Sequence, residues 1–383
     1  MDWSFLIRNK ESINVTTDSR KVVPGCVFVA LKGEHFDGND FVEQARRDGA
    51  GYIISGENAL AELQDLARAW RRELGLPILG ITGTNGKTTT KELCAAVLST
   101  KYKLYYTQGN LNNQLGVPLT LLNITRAHEM AIVEMGASHP GDIKELVEIA
   151  EPNYGLITNV GKAHLQGFGS FEGVMRTKAE LYDFLRAHNG FCFRNTDNPY
   201  LAQMAGDLKT VEYHTGTMPS DTHLVGGYNA ENVSAAICVG RYFGVSEEDA
   251  LAAIRAYIPS NNRSQLMQTE KNTVVVDAYN ANPTSMQAAI NAFKGDCYIL
   301  GAMRELGEYS HLEHQNIVNM LLERKAEKVL LVGEEYKETT APYPVFENVE
   351  ALCEYLQREP LSGYTILLKG SRSNQLEKVI PLL

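Results

Sequence analysis

The run Ile81-Thr82-Gly83-Thr84-Asn85-Gly86-Lys87-Thr88-Thr89-Thr90 joins an apolar stretch, Pro77 to Ile81, to a segment of helical character from Thr88 onward. That is the layout of a phosphate-binding loop. Glycines at 83 and 86 let backbone N–H groups close around phosphate oxygens. Lys87 supplies a compact positive charge for the β- and γ-phosphates, and the Thr88 hydroxyl is a ligand for Mg²⁺. The expected ligand is a nucleoside triphosphate, held by Gly83, Thr84, Asn85, Gly86, Lys87, Thr88 and Thr89. The spacing departs from the general G-x-x-x-x-G-K-[ST] rule, because Ile81 stands in the first-glycine place and Gly83 sits three residues before Gly86. The competing reading is a glycine-rich turn that caps a helix.

Other chemistry-bearing groups also sit where apolar runs end. Gln108-Gly109-Asn110-Leu111-Asn112-Asn113-Gln114-Leu115-Gly116-Val117-Pro118 is too polar for a strand and too rich in asparagine for a helix interior, so it reads as a binding loop or a set of structural turns. Glu134 closes the apolar run Ala131–Met135, where an unpaired carboxylate is costly. A cation must stand beside it, either Mg²⁺ bridging to phosphate or the partner of a structural ion pair. Arg263 and the block Asp277-Ala278-Tyr279-Asn280-Ala281-Asn282-Pro283-Thr284-Ser285 form a second polar wall. Arg263 suits phosphate charge and Asp277 or Tyr279 a ribose; the rival is a turn capping a helix from Thr284. Taken alone, His164 in Gly161–Ser170 is a structural histidine and Lys178 a surface lysine. His311 and His314 form an H-x-x-H pair on one helix face, without an evident third metal ligand.

What must position these groups is a set of short β-rich runs alternating with helical periodicity: Cys26–Leu31, Pro77–Ile81, Ala131–Met135, Gly155–Val160, Thr273–Ala278, Tyr298–Leu300, Val329–Val332 and Thr365–Leu368. Alternation of this kind builds parallel α/β sheets, in which ligands gather beyond the carboxyl ends of strands. Gly83–Thr89, Glu134, Asn159, Asp277 and Lys369 all fall there. A helix over Ala59–Leu74, with Arg68, Arg71 and Arg72 as a solvated face, leads into Gly75-Leu76-Pro77 and a first boundary. A second boundary follows the helical pattern from Glu247, at Pro259. Three domains result, 1–76, 77–259 and 260–383.

With 36 basic and 46 acidic residues the chain carries a net charge of −10, which argues against nucleic acid or an anionic membrane as its main partner. Neither a membrane-spanning run nor a secretion signal is evident, so a cytoplasmic protein is expected. Six cysteines without C-x-x-C spacing read as reduced core residues.

Together these motifs resemble the Mur ligase family, the ATP-dependent amide ligases of peptidoglycan assembly, over nearly the whole chain. Thr17-Asp18-Ser19-Arg20, Pro24–Leu31 and Gly33–Gly38 are similar to the family's uridine-nucleotide-binding domain. Asn110-Leu111-Asn112-Asn113 to Pro118, Glu134-Met135-Gly136, Asp277 to Pro283, Glu305-Leu306-Gly307 and Lys369-Gly370-Ser371-Arg372 point to the members that add D-alanyl-D-alanine. The resemblance implies an α/β fold of three domains: an N-terminal uridine-nucleotide-binding domain, a central P-loop-type parallel sheet that binds ATP, and a C-terminal Rossmann-like domain. It implies Lys87, Glu134, His164 and Lys178 as catalytic residues, and Thr88, Glu134, His164 and Lys178 around Mg²⁺, with Lys178 carbamylated by CO₂. It places Asn232, Arg263 and Asp277 at the nucleotide, and Asp18, Ser19, Arg20, Asn110, Asn112 and Asn113 at the substrate.

The implied reaction joins D-alanyl-D-alanine to UDP-N-acetylmuramoyl-tripeptide, through an acyl phosphate and with ATP cleaved to ADP and phosphate; the resemblance favours a monomer. Whether the tripeptide ends in diaminopimelate or lysine has no readable motif. Two departures stand out. The interval from His188 to Gly226 is short for the family, as if strands near the adenine side were missing, and Ala302 in Gly301-Ala302-Met303 replaces a common aspartate. Another amide ligase of the superfamily, such as a folylpolyglutamate or cyanophycin synthetase, and a non-catalytic nucleotide-binding homologue remain the alternatives.

Overall fold

A computed structural model describes residues 2–259 and 262–383. Ser260 and Asn261, at the second expected boundary, lie outside the described residues. Three sheets succeed one another along the chain. The first is small and parallel, with strands β1 (Val15–Thr16), β2 (Val27–Val29) and β3 (Tyr52–Ile54) in that order. The second comprises β4 (Ile78–Thr82), β5 (Leu104–Tyr106), β6 (Met130–Glu134), β7 (Tyr154–Ile157), β8 (Phe191–Asn195) and β9 (Thr210–Tyr213). Its order is β5-β6-β4-β7-β8-β9, every pair parallel. The third has the order β10 (Gln265–Gln268), β11 (Thr273–Asp277), β15 (Thr365–Lys369), β12 (Cys297–Gly301), β13 (Lys328–Val332) and β14 (Val345–Phe346). Only β10 of this sheet runs antiparallel to its neighbour among the described residues.

The central strands read as unbroken apolar runs because helices cover both of their faces. One face packs against the helices Ala59–Leu74, Gly116–Leu122, Asp142–Ala150 and Phe171–Ala187, the other against Lys87–Leu98, Asn229–Tyr242 and Glu247–Ala256. From β4 the chain crosses through β5 to β6 on one side and then to β7 on the other. The strand order therefore reverses at β4, and a crevice opens at its carboxyl end. Register sets the details. Ile81 pairs with Glu134 and Thr82 with Ile157, so the loop after β4 is flanked by the ends of β6 and β7.

The helix Ala59–Leu74 forms as expected and ends on Gly75 in the left-handed region. Of its arginines, expected as a solvated face, only Arg72 is exposed, Arg68 being half-buried and Arg71 buried. Arg71 is buried and donates to the carbonyls of Leu76, Ala150 and Glu151 and to Asn153 Oδ1, all between 2.9 and 3.3 Å. Arg68 reaches Glu148 O at 2.8 Å, and Arg72 pairs with Glu151. The row therefore fastens the N-terminal segment to the end of the Asp142–Ala150 helix, and one core runs from Trp3 and Trp70 into Ile143 and Leu146. Replacing Arg71 by methionine strands several buried acceptors. We expect a loss of about 3 kcal/mol in stability, read as a lower Tm with no change in nucleotide affinity.

Candidate active site

The loop after β4 takes its shape from two glycines. Gly83 has φ +142° and Gly86 φ +77°. A Cβ at Gly83 would lie 2.0 Å from Thr158 Oγ1, and one at Gly86 2.5 Å from Asn232 Oδ1, so neither position admits a side chain without rearrangement. The residues after β7 brace the loop. Asn85 N donates to Asn159 Oδ1 at 3.0 Å, Thr84 N to Asn159 O at 2.9 Å, and Thr158 Oγ1 to Asn85 O at 2.6 Å. Lys87 opens the following helix and folds its ammonium onto Gly83 O and Thr84 O, at 2.8 and 3.0 Å. Burial pushes this amine down to about 8, Arg263 adding to the effect and Glu134 opposing it.

Glu134 ends β6 only 1% exposed. Its Oε1 accepts from Asn112 Nδ2 at 2.8 Å and from Thr88 Oγ1 at 3.2 Å, whereas its Oε2 has no hydrogen bond. The cation beside it is one that the sequence reading did not single out: Lys91, on the same helix as Thr88, 3.5 Å from Oε2. The expected ion-pair alternative for Glu134 is thus present, and an acceptor oxygen still lacks a donor.

Thr88, Glu134 and His164 line a single cleft of about 940 Å³, together with Asn110, Asn112 and Asn232. Across it, Arg263, Asp277 and Glu305 come from the C-terminal part of the chain. Arg263 stacks on the Tyr279 ring at 3.7 Å, and its Nε has no partner. Asp277 is held by Lys369 at 2.6 Å, its register neighbour on β15, and accepts from Ser264 N at 3.3 Å. The two walls are tied directly. Asn282 Nδ2 donates to Asn85 Oδ1 at 2.8 Å, Lys162 meets Glu313 at 3.2 Å, and His164 Nδ1 pairs with Glu305. Both His164 and Glu305 sit in the left-handed region, at φ 49° and 61°, a strain that clusters at functional sites. Burial lowers the His164 pKa against the pull of Glu305.

Other expected site residues take different places. Lys178, on the helix Phe171–Ala187, is no surface lysine: it is 2% exposed, with the Phe168 ring 5.6 Å from its amine. It lies outside the cleft lining, yet close enough for Lys87 to reinforce the effect of burial, which drives its pKa well below the ordinary lysine value. Asn232 spends its amide within the protein, accepting from Thr90 Oγ1 and donating to Asn229, both at 2.9 Å. Asn113 caps the Gly116–Leu122 helix through Gly116 N at 2.8 Å. Asn282 likewise caps Pro283–Ala292 with Ser285 in a capping box, so the helix-cap reading of that block holds alongside its contact with Asn85.

Asp18, Ser19 and Arg20 follow β1, Asp18 capping the short 3-10 turn Ser19–Lys21, and lie outside the cleft lining. There Arg20 holds the Asp18 carboxyl down at about 2. His314 is buried, accepting from Met303 N at 3.0 Å and bonded through Nδ1 to Ser310 O at 2.7 Å, whereas His311 is exposed. The H-x-x-H pair is therefore structural. Ala302 is enclosed beside Gly333. The interval 188–226 holds β8, a short helix Pro199–Ala205 and β9.

Among the described residues no three histidine, cysteine or acidic side chains are grouped so that they could hold a metal ion by themselves. The donor set is instead one carboxylate with an unbonded oxygen, a hydroxyl and an imidazole. The carboxylate and the hydroxyl fit Mg²⁺, which takes oxygen ligands, keeps several waters and draws its remaining ligands from substrate phosphates, whereas the imidazole is the less apt donor of the three.

Residues 13–95 match the Mur ligase family catalytic domain, 81–215 the Mur ligase middle domain, and 262–372 the Mur ligase glutamate ligase domain. The UDP-N-acetylmuramoyl-tripeptide--D-alanyl-D-alanine ligase of Bacillus subtilis is 33% identical, over 96% of this chain and 92% of its own length. The Escherichia coli protein of the same name is 32% identical, over 96% and 93%. The crystal structure of MurF ligase from Thermotoga maritima in complex with ADP superposes with a TM-score of 0.86 at 28% identity, covering 98% of each chain. MurF from Acinetobacter baumannii gives 0.84 at 28% identity, over 96% of this chain and 92% of that one. Sequence, domain order and fold agree over almost the entire length: the chain belongs to the Mur ligase family.

Proposed function

We propose that the chain is the ATP-dependent ligase that joins D-alanyl-D-alanine to UDP-N-acetylmuramoyl-tripeptide in peptidoglycan precursor synthesis, releasing ADP and phosphate. The observation that carries this reading is the convergence, in one cleft, of the glycine loop with Lys87, the Thr88–Glu134–Asn112 cluster and the facing Arg263 and Asp277. A phosphate-binding loop alone would serve any nucleotide hydrolase. A second wall from another part of the chain adds what a ligase needs, a place for two further reactants beside the γ-phosphate.

A carboxylate is a poor electrophile, so the tripeptide acid first takes the γ-phosphoryl group of ATP and becomes an acyl phosphate. The dipeptide amine, after losing its proton, then attacks the acyl carbon and expels phosphate. Lys87 leaves its loop carbonyls to meet phosphoryl oxygens, and the loop N–H groups orient the phosphate chain. Thr88, Glu134 and His164 would hold Mg²⁺, with Lys178 supporting it as a carbamate; bound there, the ion neutralises phosphoryl charge. Asn112 keeps Glu134 turned toward Thr88. Arg263, Asp277 and Asn232 serve the nucleotide, and Asn110 and Asn113 shape the substrate side. The contacts Asn85–Asn282 and Lys162–Glu313 hold the walls together while water is excluded from the acyl phosphate.

In this reading residues 1–76, with Asp18, Ser19 and Arg20, receive the uridine nucleotide, 77–259 bind ATP, and 260–383 close the site. The enzyme works as a cytoplasmic monomer. No helix among the described residues is long and apolar enough to cross a membrane. Phosphate release measured with each reactant omitted in turn tests the proposal. We expect turnover only with ATP, UDP-N-acetylmuramoyl-tripeptide and D-alanyl-D-alanine together; equal release without the dipeptide would overturn it.

A further inference from the structure

Thr88 and Lys91 stand three residues apart on one face of the helix Lys87–Leu98, and between them they take the two oxygens of Glu134. Lys91 is 1% exposed, a costly place for an ammonium. Its nearest carboxylate oxygens are Glu134 Oε2 at 3.5 Å and Glu92 Oε1 at 3.9 Å, and the Tyr106 ring lies 5.8 Å away. Glu92 in turn accepts from the hydroxyl of Tyr257, which follows the last helix before the C-terminal part of the chain. The ammonium thus lies between two acids, one at the cleft and one behind it. Neither distance is that of a short charge-assisted bond.

We propose that Lys91 is a built-in stand-in for the divalent cation: a positioning residue that holds the Glu134 carboxylate in place and compensates its charge before metal arrives, and yields by shifting its own charge toward Glu92 when metal binds. This rests on the reading of Glu134 as a metal ligand. A buried carboxylate with no cation near it is costly, and the Lys91 ammonium 3.5 Å from Oε2 offsets that cost. The same positive charge opposes a second cation at that carboxylate, so it weakens metal binding while stabilising the metal-free protein. A purely structural lysine has no reason to produce effects of opposite sign.

The test uses Lys91→Met, Glu134→Gln and the double variant at pH 8, with Mn²⁺ as probe, its free concentration followed by electron paramagnetic resonance and Tm recorded with and without the ion. We expect Lys91→Met to lower the metal-free Tm by roughly 10 °C. It should bind Mn²⁺ about tenfold more tightly than wild type, with saturating Mn²⁺ closing most of the Tm gap. The double variant should recover the lost Tm, since neither charge is then stranded. Unchanged or weaker Mn²⁺ binding by Lys91→Met, or strictly additive Tm losses in the double variant, overturns the proposal. Should Lys91→Met not fold, a folded double variant supports the pairing and an unfolded one refutes it. Wild-type Mn²⁺ affinity that survives Glu134→Gln would instead overturn the metal role of Glu134 itself.

Discussion

Replacing Lys87 by methionine should leave a folded protein whose substrate-dependent phosphate release is lower by about three orders of magnitude. Its two hydrogen bonds, to Gly83 O and Thr84 O, belong to no strand or helix ladder, and Gly83 and Gly86 keep their backbone shape without it. Stability should therefore move little. Catalysis loses the one side-chain cation within the loop, at the point where charge develops on the transferred phosphoryl group. The lowered pKa, about 8, sharpens the prediction. A phosphate anion beside the amine favours its protonated form, so its pKa rises on binding and protons are taken up between about pH 8 and the ordinary lysine value near 10.4. Calorimetric titration of ADP at pH 8 in two buffers of different ionisation enthalpy should show this uptake in wild type and not in Lys87→Met. A loss of activity smaller than tenfold would remove Lys87 from the reaction.

What the chain discloses without coordinates follows from how local each signal is. The glycine loop is readable because its requirements, positive φ at 83 and 86 and a lysine opening a helix, lie within a few consecutive residues. Buried strands such as β4, β6, β11 and β15 are readable as apolar runs. By contrast, β9 is partly exposed at a sheet edge and β10 alternates half-buried with exposed residues, so neither stands out from a loop. Side chains whose partners are remote are harder still. Arg71 meets acceptors some eighty residues on, Lys91 meets Glu134, and His164 meets Glu305 from a different sheet. For Lys91 a signal did exist: a lysine three residues after the loop threonine, on the face already turned toward the cleft. His314 shows the reverse failure, for its spacing from His311 suggests a shared ligand while its ring is occupied by Met303 N and Ser310 O.

Lys178 offers the sharpest separation between packing and chemistry, because a methionine there should lose activity without losing stability. Among the described residues its amine has no hydrogen bond or ion pair at contact distance, only the Phe168 ring at 5.6 Å. Burial and the nearby Lys87 drive its pKa well below the usual range, Asp142 and Glu180 pulling the other way. Burial therefore favours the neutral amine over the ammonium, and a neutral amine is the form that attacks CO₂. The product is a carbamate anion and a released proton, and the sign of the residue's charge has then reversed relative to an ordinary lysine. Beside Lys87 an anion is electrostatically better placed than a second ammonium.

If packing is its whole task, Lys178→Met keeps turnover within a few-fold and holds or raises Tm, since a buried polar group has been replaced by an apolar one of similar length. If the carbamate supports the ion held by Thr88, Glu134 and His164, turnover falls by about a hundredfold or more at that same Tm. Wild-type protein given ¹³C-bicarbonate should also show a carbamate resonance that the variant lacks. Full activity in Lys178→Met, or no such resonance in active wild type, would leave this lysine with a packing role alone.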